Sequence, residues 1–110
     1  MEMMIATDAF AALAQPTRLA VVRLLVTAGA NGMTSGDIGE TLGVRANTMS
    51  TNLIILARAR LIRSEREGRS VRYFADFEGL RDLLSFLMED CCGGRPELCK
   101  PALDAIACNC

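Results

Sequence analysis

The stretch TSGDIGETLGVRANTMSTNLIILARAR, residues 34–60, predicts two helices joined by a tight turn. The first helix is short, about residues 35–42, with Thr34 placed to cap it and Asp37 three residues later. The turn is Gly43-Val44-Arg45, and the second helix covers about residues 46–59. A short turn with glycine between two helices is the sequence form of a helix-turn-helix. In such a unit the second helix can lie in the major groove of DNA, so it is the predicted DNA reader.

The second helix is predicted to have two different faces. Its buried stripe consists of apolar residues at helical spacing, namely Met49, Leu53 and Leu56. At about 100° per residue, the side opposite the stripe holds Asn47, Thr51 and Arg58, and its flanks hold Thr48, Ser50 and Asn52. Short hydrogen-bonding side chains near the helix N-terminus are placed to reach base edges in this motif. An ordinary solvent-exposed helix face is the alternative.

Charge is distributed unevenly along the chain, although the formal net charge is only −1. Between residues 45 and 72 there are seven arginines and two glutamates, whereas residues 76–110 hold three cations and seven acids. A basic region beside an acidic one is typical of a protein that binds duplex DNA. Arginine also suits two-point contacts to phosphate and guanine better than lysine does. A solvated charged surface is the alternative.

The segment after the second helix predicts a β-hairpin. Strand-forming residues recur from Ile62 to Phe74, and Gly68 supplies the turn between the strands. Attached to a helix-turn-helix, such a hairpin is a wing, with Arg66 and Arg69 placed to reach phosphates or the minor groove. The predicted DNA contacts are therefore Arg45, Asn47, Thr48, Ser50, Thr51, Asn52, Arg58, Arg66 and Arg69.

Three further helices are predicted as scaffold. One covers about residues 7–14, and the next begins at Pro16, where the missing N–H of proline costs nothing. The latter is apolar on most of its surface, which predicts a buried central helix ending near Gly29. A last helix covers about residues 77–91 and has a wide apolar face that includes Leu80, Leu84 and Leu87. We predict that this face dimerises the protein, the alternative being a helix that only closes the core.

Length and composition limit the functions that the chain can have. A chain of 110 residues, 51% hydrophobic and 23% charged, is expected to form one domain with a core. No apolar run approaches the roughly 18 residues of a membrane span, and no signal peptide is evident, so we expect a cytoplasmic protein with no membrane partner. The chain has no histidine, no Gly-rich phosphate loop and no nucleophile elbow, which argues against an enzyme.

All the cysteines lie near the end of the chain, as Cys91, Cys92, Cys99, Cys108 and Cys110. Disulfides are disfavoured because the chain has a core and no secretion signal. A redox switch is disfavoured because Glu89, Asp90 and the end of the last helix oppose thiolate formation at the first pair. A four-cysteine zinc site remains open, and ahead of it we place a trivalent metalloid such as As(III) held by three sulfurs.

Four segments of the chain carry a further signal. They are FAALAQPTRL at residues 10–19, IGETLG at 38–43, Thr48-Met49-Ser50, and REGR at 66–69. Together they resemble the ArsR/SmtB family of winged-helix repressors, and the resemblance covers about residues 8–92. It implies a mainly α fold with a small β-hairpin, in the order α-α-α-α-β-β-α. The domain would be residues 1–92, and residues 93–110 would form a cysteine-containing tail in which Pro101 can begin one more short helix.

The same resemblance implies a homodimeric repressor that leaves its operator when a toxic ion binds. The first and last helices would build the dimer, through Phe10, Leu13, Leu80, Leu84 and Leu87.

The chain departs from the family at the family's sensor sites. Many arsenic-sensing members carry Cys-x-Cys at the start of the helix-turn-helix, but residues 32–37 contain no cysteine here. Zinc sensors of the family use Asp and His on the last helix, and this chain has no histidine. We therefore predict a relocated site in which Cys91, Cys92 and Cys99 bind As(III) or Sb(III), with Cys108 and Cys110 as weaker candidates. A redox-sensing repressor, or one that responds to zinc, cadmium or lead, is the alternative. A thiol-rich metal binder that uses its winged helix for protein contacts is another.

Overall fold

The computed structural model of the chain describes residues 1–89 and 96–106. Its elements, in chain order, are α1 (Met3–Leu13), α2 (Pro16–Ala28), β1 (Met33–Thr34), α3 (Ser35–Leu42), α4 (Ala46–Arg58), β2 (Ile62–Glu67), β3 (Ser70–Ala75), α5 (Phe77–Leu87) and α6 (Pro96–Ile106). A single 3-10 turn, Gly29–Asn31, joins α2 to β1. The predicted winged helix-turn-helix, mainly α with a small antiparallel sheet, is confirmed.

The helix-turn-helix consists of α3, a turn at residues 43–45, and α4. The Thr34 hydroxyl accepts a hydrogen bond from the Asp37 amide at 3.2 Å, so the predicted cap of α3 is present. At the other end Gly43 has φ +67°, a left-handed conformation that favours glycine, and its N–H donates to the carbonyl of Gly39. The turn that brings α4 across α3 therefore follows from a cap and one glycine.

The wing is a three-stranded antiparallel sheet in the order β1-β3-β2, where the sequence predicted only a two-stranded hairpin. The additional strand β1 places Met33 opposite Tyr73 of β3. Gly32, just before it, has φ +60°, and a Cβ there would lie 2.5 Å from the Tyr73 carbonyl oxygen and 2.7 Å from the Phe74 ring. Because glycine has no side chain, β1 can approach β3 closely enough to pair with it.

Three helix boundaries differ from the prediction. α1 begins at Met3 rather than near residue 7, because the Glu2 carboxylate accepts a hydrogen bond from the Met4 amide at 2.8 Å and caps the helix. α5 ends at Leu87 rather than near residue 91. α6 begins at Pro96, so Pro101, predicted as a helix start, lies inside it.

The hydrophobic core lies between the helices α1 to α5 and the base of the wing. Its largest fully buried side chains are Val21, Leu25, Ile38, Met49, Leu53, Leu56, Leu61, Ile62 and Leu83. The stripe predicted for the second helix of the motif, Met49, Leu53 and Leu56, is therefore confirmed. This stripe fixes which side of α4 faces outward.

The prediction that α2 is a buried central helix is wrong for one side of the helix. Leu19 and Val26 of this helix are 45% and 43% exposed. A small chain has too few other elements to cover a helix all round, so one side of α2 stays open. That side and α5 border an apolar groove of about 850 Å³.

No single helix in the described part of the chain is long and apolar enough to cross a membrane. The helices α1 and α2 pass that test of length and composition only together, across a bend of 97°.

Candidate nucleic-acid interface

The outer face of α4 begins with short polar side chains. Asn47, Thr48, Ser50 and Thr51 are all exposed. The Thr48 amide donates to the Asn47 side-chain oxygen at 2.9 Å, and the Thr51 hydroxyl donates to the Asn47 carbonyl at 3.3 Å. These four side chains share the surface of the first two turns of α4, with Asn47 and Thr51 opposite the buried stripe and Thr48 and Ser50 on its flanks. They are therefore exposed on the face that the sequence predicts to read base edges, and the contact with DNA stays a prediction.

Asn52 is the exception among the residues predicted to contact DNA on this helix. It is only 7% exposed, and its side-chain oxygen accepts a hydrogen bond from the Arg18 guanidinium at 3.5 Å. A buried amide without a partner would destabilise the fold by about 1–3 kcal/mol, so this bond matters. The sequence placed Asn52 on a flank, but it lies three residues after Met49 and four before Leu56, within the buried stripe. We therefore remove Asn52 from the DNA-contacting set.

Three arginines of the basic region are held by acceptors within the chain. Arg60 pairs with Asp82 of α5 at 3.4 Å. Arg63 pairs with Glu65 at 2.7 Å, and its guanidinium lies over the Phe74 ring, 4.4 Å from the ring centroid. These contacts connect β2 and the end of α4 to their neighbours.

Arg72 is the third and the most strongly held of the paired arginines. Its Nε donates to Glu67 at 2.6 Å, and its Nη1 donates to the carbonyl of Asn31 at 3.1 Å. Through these bonds it joins both strands of the hairpin to the segment that leads into β1. Arg72 therefore stabilises the wing instead of extending from it.

The other four arginines of this region are Arg45, Arg58, Arg66 and Arg69. All four are exposed, and within residues 1–89 and 96–106 none of them is in an ion pair. Arg45 precedes α4 and Arg58 ends it, whereas Arg66 and Arg69 lie on β2 and in the hairpin turn. They are also the four arginines that the sequence predicted as DNA contacts. These four cations therefore lie at the two ends of α4 and on the hairpin, with no ion-pair partner among the described residues.

The hairpin turn lies close to the start of α3. Arg69 and Ser70 line a mainly polar depression of about 350 Å³ together with Thr34, Ser35 and Gly36. The first amides of a helix and an arginine both attract negative charge. The wing and the first helix of the motif therefore present one continuous surface suited to a phosphate backbone.

The predicted cysteine site lies mostly outside the described residues. Cys91, Cys92, Cys108 and Cys110 are outside them, and Cys99 lies in α6 with a side chain that is not described. Among the described residues, no group of three or more His, Cys, Asp or Glu side chains could hold a metal ion. The assignment of As(III) or Sb(III) to Cys91, Cys92 and Cys99 therefore stays a prediction.

The predicted dimerisation residues fall into two groups. Phe10, Leu84 and Leu87 are 38%, 42% and 58% exposed, whereas Leu13 and Leu80 are partly buried against the core. The exposed group gives α1 and α5 apolar surface that a second copy can cover. The exposed apolar residues of α2, Leu19 and Val26, are not among the predicted dimerisation residues, because the apolar pattern of this helix predicts burial.

Comparison with known proteins agrees with this architecture. The profile of a family described as a helix-turn-helix domain matches residues 13–65. The transcriptional repressor SdpR of Bacillus subtilis (strain 168) is 30% identical over 81 residues, which cover 74% of this chain and 87% of SdpR.

Two solved structures resemble the chain in three dimensions. An ArsR-like transcriptional regulator from Rhodococcus sp. RHA1 has a TM-score of 0.70 and 23% identity, covering 97% of this chain and 96% of that one. The homodimeric winged helix-turn-helix DNA-binding domain of Mb0332 from Mycobacterium bovis, a possible ArsR-family regulator, has a TM-score of 0.64 and 22% identity. That match covers 78% of this chain and 80% of that one.

Proposed function

The chain belongs to the ArsR family of winged-helix transcriptional repressors, and we propose that it is a homodimer that releases its operator when As(III) or Sb(III) binds Cys91, Cys92 and Cys99. The observation that carries the DNA-binding mode is the division of the arginines. Those with acceptors in the chain stabilise the wing and α5, and the four without an ion pair among the described residues lie at the ends of α4 and on the hairpin. The two groups serve different partners.

In the proposed complex α4 enters the major groove with its N-terminal turns. Asn47, Thr48, Ser50 and Thr51 read base edges, because short hydroxyl and amide side chains can hydrogen-bond there. The exposed arginines contact phosphates on both sides of α4, and the wing follows the duplex beside it. Phosphate contacts of this kind position the protein, whereas the polar side chains of α4 supply sequence preference.

The proposed dimer forms through α1 and α5. Their exposed apolar residues, Phe10, Leu84 and Leu87, form a surface that would contact its own copy across a two-fold axis. Two copies related in this way present two α4 helices to half-sites about one helical turn of DNA apart. Affinity for such an inverted repeat exceeds that for one half-site, because both helices bind together.

The proposed inducer site is made of thiolates alone. Sulfur ligands select soft ions, and a three-sulfur site suits a trivalent metalloid better than it suits magnesium or calcium. Capture by Cys99 in α6 and by the Cys91-Cys92 pair after α5 would join two parts of the tail. Because α5 also forms the proposed dimer surface, such a link can alter how the protomers are arranged. A coupling of about 1–3 kcal/mol is the usual size of such linkage.

The test uses a duplex selected from random-sequence DNA with the purified full-length protein, labelled for fluorescence anisotropy. Under reducing conditions, arsenite is expected to weaken binding of this duplex by roughly 5- to 150-fold. Cys91→Ser, Cys92→Ser and Cys99→Ser should each bind the duplex normally and lose the response. Cys108→Ser and Cys110→Ser are matched controls, since they remove a tail thiol outside the proposed ligand set. Release of DNA by arsenite from all three serine variants would show that the assigned site is wrong.

Two further additions separate the alternatives. Zinc, cadmium or lead acting in place of arsenite would identify a metal-responsive repressor of the same family. Reversible release by peroxide, without release by arsenite, would identify a redox-responsive one. Either result contradicts the metalloid assignment but leaves the DNA-binding mode intact.

A further inference from the structure

One polar side chain lies within the buried stripe of α4, the proposed DNA-reading helix. Among the described residues, Asn52 of α4 is the one buried polar group, at 7% exposure. Its neighbours along the stripe are Met49, Leu53 and Leu56, so its side-chain oxygen needs a donor from another element. The donor is Arg18 of α2, with Nη1 3.5 Å from the Asn52 oxygen.

Arg18 also holds the end of α1. Its Nε donates to the carbonyl of Ala12 at 2.6 Å. Ala12 lies in the last turn of α1, where carbonyls have no amide of their own helix to bind and where a positive charge is favourable. The guanidinium thus contacts the last turn of α1 and the interior of α4 at the same time.

The backbone of Arg18 is fixed as well. Its amide donates to the side-chain oxygen of Gln15 at 2.8 Å, which caps the start of α2. The arginine therefore extends from the first turn of a helix that the buried residues Val21 and Leu25 anchor in the core. An arginine anchored in this way can fix the positions of the two groups that it binds, the Ala12 carbonyl and the Asn52 side chain.

The seam between α1 and α4 is open beside this arginine. A depression of about 360 Å³ lies there, bordered by Asp8 and Ala11 of α1 and by Ile55 and Arg58 of α4. Since the facing residue of α1 is small, side-chain packing leaves space between the two helices at this point. The two hydrogen bonds of Arg18, to Ala12 of α1 and to Asn52 of α4, cross the same seam.

We infer that Arg18 is a positioning residue that sets the orientation of the DNA-reading helix α4 relative to the dimerisation helix α1. The inference rests on the roles proposed above for these two helices. In a dimer, the angle between α1 and α4 of each protomer determines how far apart the two recognition helices lie. Asn52 is the point on α4 at which this angle is held.

Arginine is the side chain that this role requires. Its planar guanidinium carries five N–H donors in a fixed arrangement, so Nε and Nη1 can bind two acceptors on different helices. Lysine has the same charge but a single nitrogen on a flexible stem. Arg18→Lys therefore keeps the charge and removes the defined geometry.

The experiment compares two DNA duplexes and two variants. The duplexes are the selected inverted repeat and the same duplex with one half-site scrambled, both without arsenite. The variants are Arg18→Lys and Asn52→Leu, which alter opposite ends of the same bond. Arg23→Lys is the control, because Arg23 is exposed on the same helix and contacts neither α1 nor α4 through a described hydrogen bond.

Each variant is expected to bind the inverted repeat about tenfold more weakly, the ratio that loss of one charged hydrogen bond gives. Binding to the single half-site should change less than about twofold, because the polar face of α4 is untouched. The double variant should lose about as much affinity for the inverted repeat as either single variant, since both substitutions remove the same contact. Arg23→Lys should match the unmodified protein on both duplexes.

A purely structural role for Arg18 gives a different result. Thermal unfolding would then shift, while the folded variants would bind both duplexes as the unmodified protein does, and this outcome overturns the inference. Equal losses on the two duplexes overturn it as well, because they indicate damage to α4 itself. If Arg18→Lys does not fold, Asn52→Leu decides alone, since leucine keeps the branch of asparagine at Cγ and suits the apolar stripe. The assay contains no arsenite, so its result does not depend on whether the cysteines bind a metalloid.

Discussion

The recognition helix α4 and the hairpin of β2 and β3 carry the same cation but are stabilised in different ways. α4 rests on the core through Met49, Leu53 and Leu56, each at most 1% exposed. β2 is exposed along almost its whole length, with Ile62 as its one buried residue. Its arginines and those of β3 therefore bind acceptors within the wing, as Arg72 does, or remain open to solvent.

Because of this difference, some arginines stabilise the fold and others remain available to bind DNA. On α4 the buried side consists of apolar residues and Asn52, which Arg18 binds, so the polar outer face is available for DNA. In the hairpin some arginines hold the strands, and Arg66 and Arg69 alone of that group have no ion pair in the described part of the chain. We therefore expect mutations in α4's stripe to affect stability, and mutations in the hairpin to affect stability or DNA binding according to which arginine is changed.

The largest effect is expected from the apolar side of α4. Leu53→Ala should lower the free energy of unfolding by about 2–5 kcal/mol, because it removes a fully buried leucine and leaves a cavity. Val71→Ala on the half-buried face of β3 should lower it by only about 1 kcal/mol. Urea denaturation measures both. Equal losses would mean that the hairpin depends on the core as much as α4 does.

The next effect concerns the exposed arginines of the wing. The double variant Arg66→Gln/Arg69→Gln should lower the slope of log affinity against log salt by about 2 and weaken DNA binding roughly 30-fold at 0.15 M salt. Its unfolding free energy should stay within about 0.5 kcal/mol of the unmodified value. Arg63→Gln, which removes one positive charge from a paired arginine, is the control and should change the slope by far less than half as much. A salt slope that the double variant leaves unchanged would exclude phosphate contacts by the wing.

The smallest effect is expected from a paired arginine that stabilises the sheet. Arg72→Gln should reduce stability by about 1 kcal/mol, since it loses the Glu67 pair and the bond to the Asn31 carbonyl. Arg69→Gln, the same substitution three positions earlier in the chain, should leave the midpoint of thermal unfolding within about 1 °C of the unmodified protein. The comparison between hairpin arginines fails if the two variants are equally stable.

Local signals predicted most of the fold. The caps and turns at Thr34 and Gly43 involve partners within a few residues, and the bounds of α3 agree with the prediction. The buried stripe of α4 followed from helical spacing alone. The third strand did not, because Met33 pairs with Tyr73, far away in sequence, and a two-residue strand has no periodicity of its own.

The candidate site was predicted less completely than the fold. Exposed polar residues of α4 and the unpaired arginines were identified from composition and position. Asn52 was misplaced, because its partner Arg18 lies 34 residues away and gives no sign in the local sequence. The open side of α2 was also missed, since apolar content predicts burial but does not say how many neighbours are available to cover a helix.

What the sequence alone determined is the order and type of the elements, the turn of the helix-turn-helix, and the residues that belong to its polar and apolar sides. These depend on interactions over one or two helical turns or a single β-turn. The tertiary structure decided which arginines are engaged. Arg60 finds Asp82 at a separation of 22 residues and Arg72 finds the Asn31 carbonyl at 41, whereas Arg66 and Arg69 find no ion pair among the described residues. An ion pair forms where folding brings two groups within a few ångströms, and sequence spacing does not encode that distance.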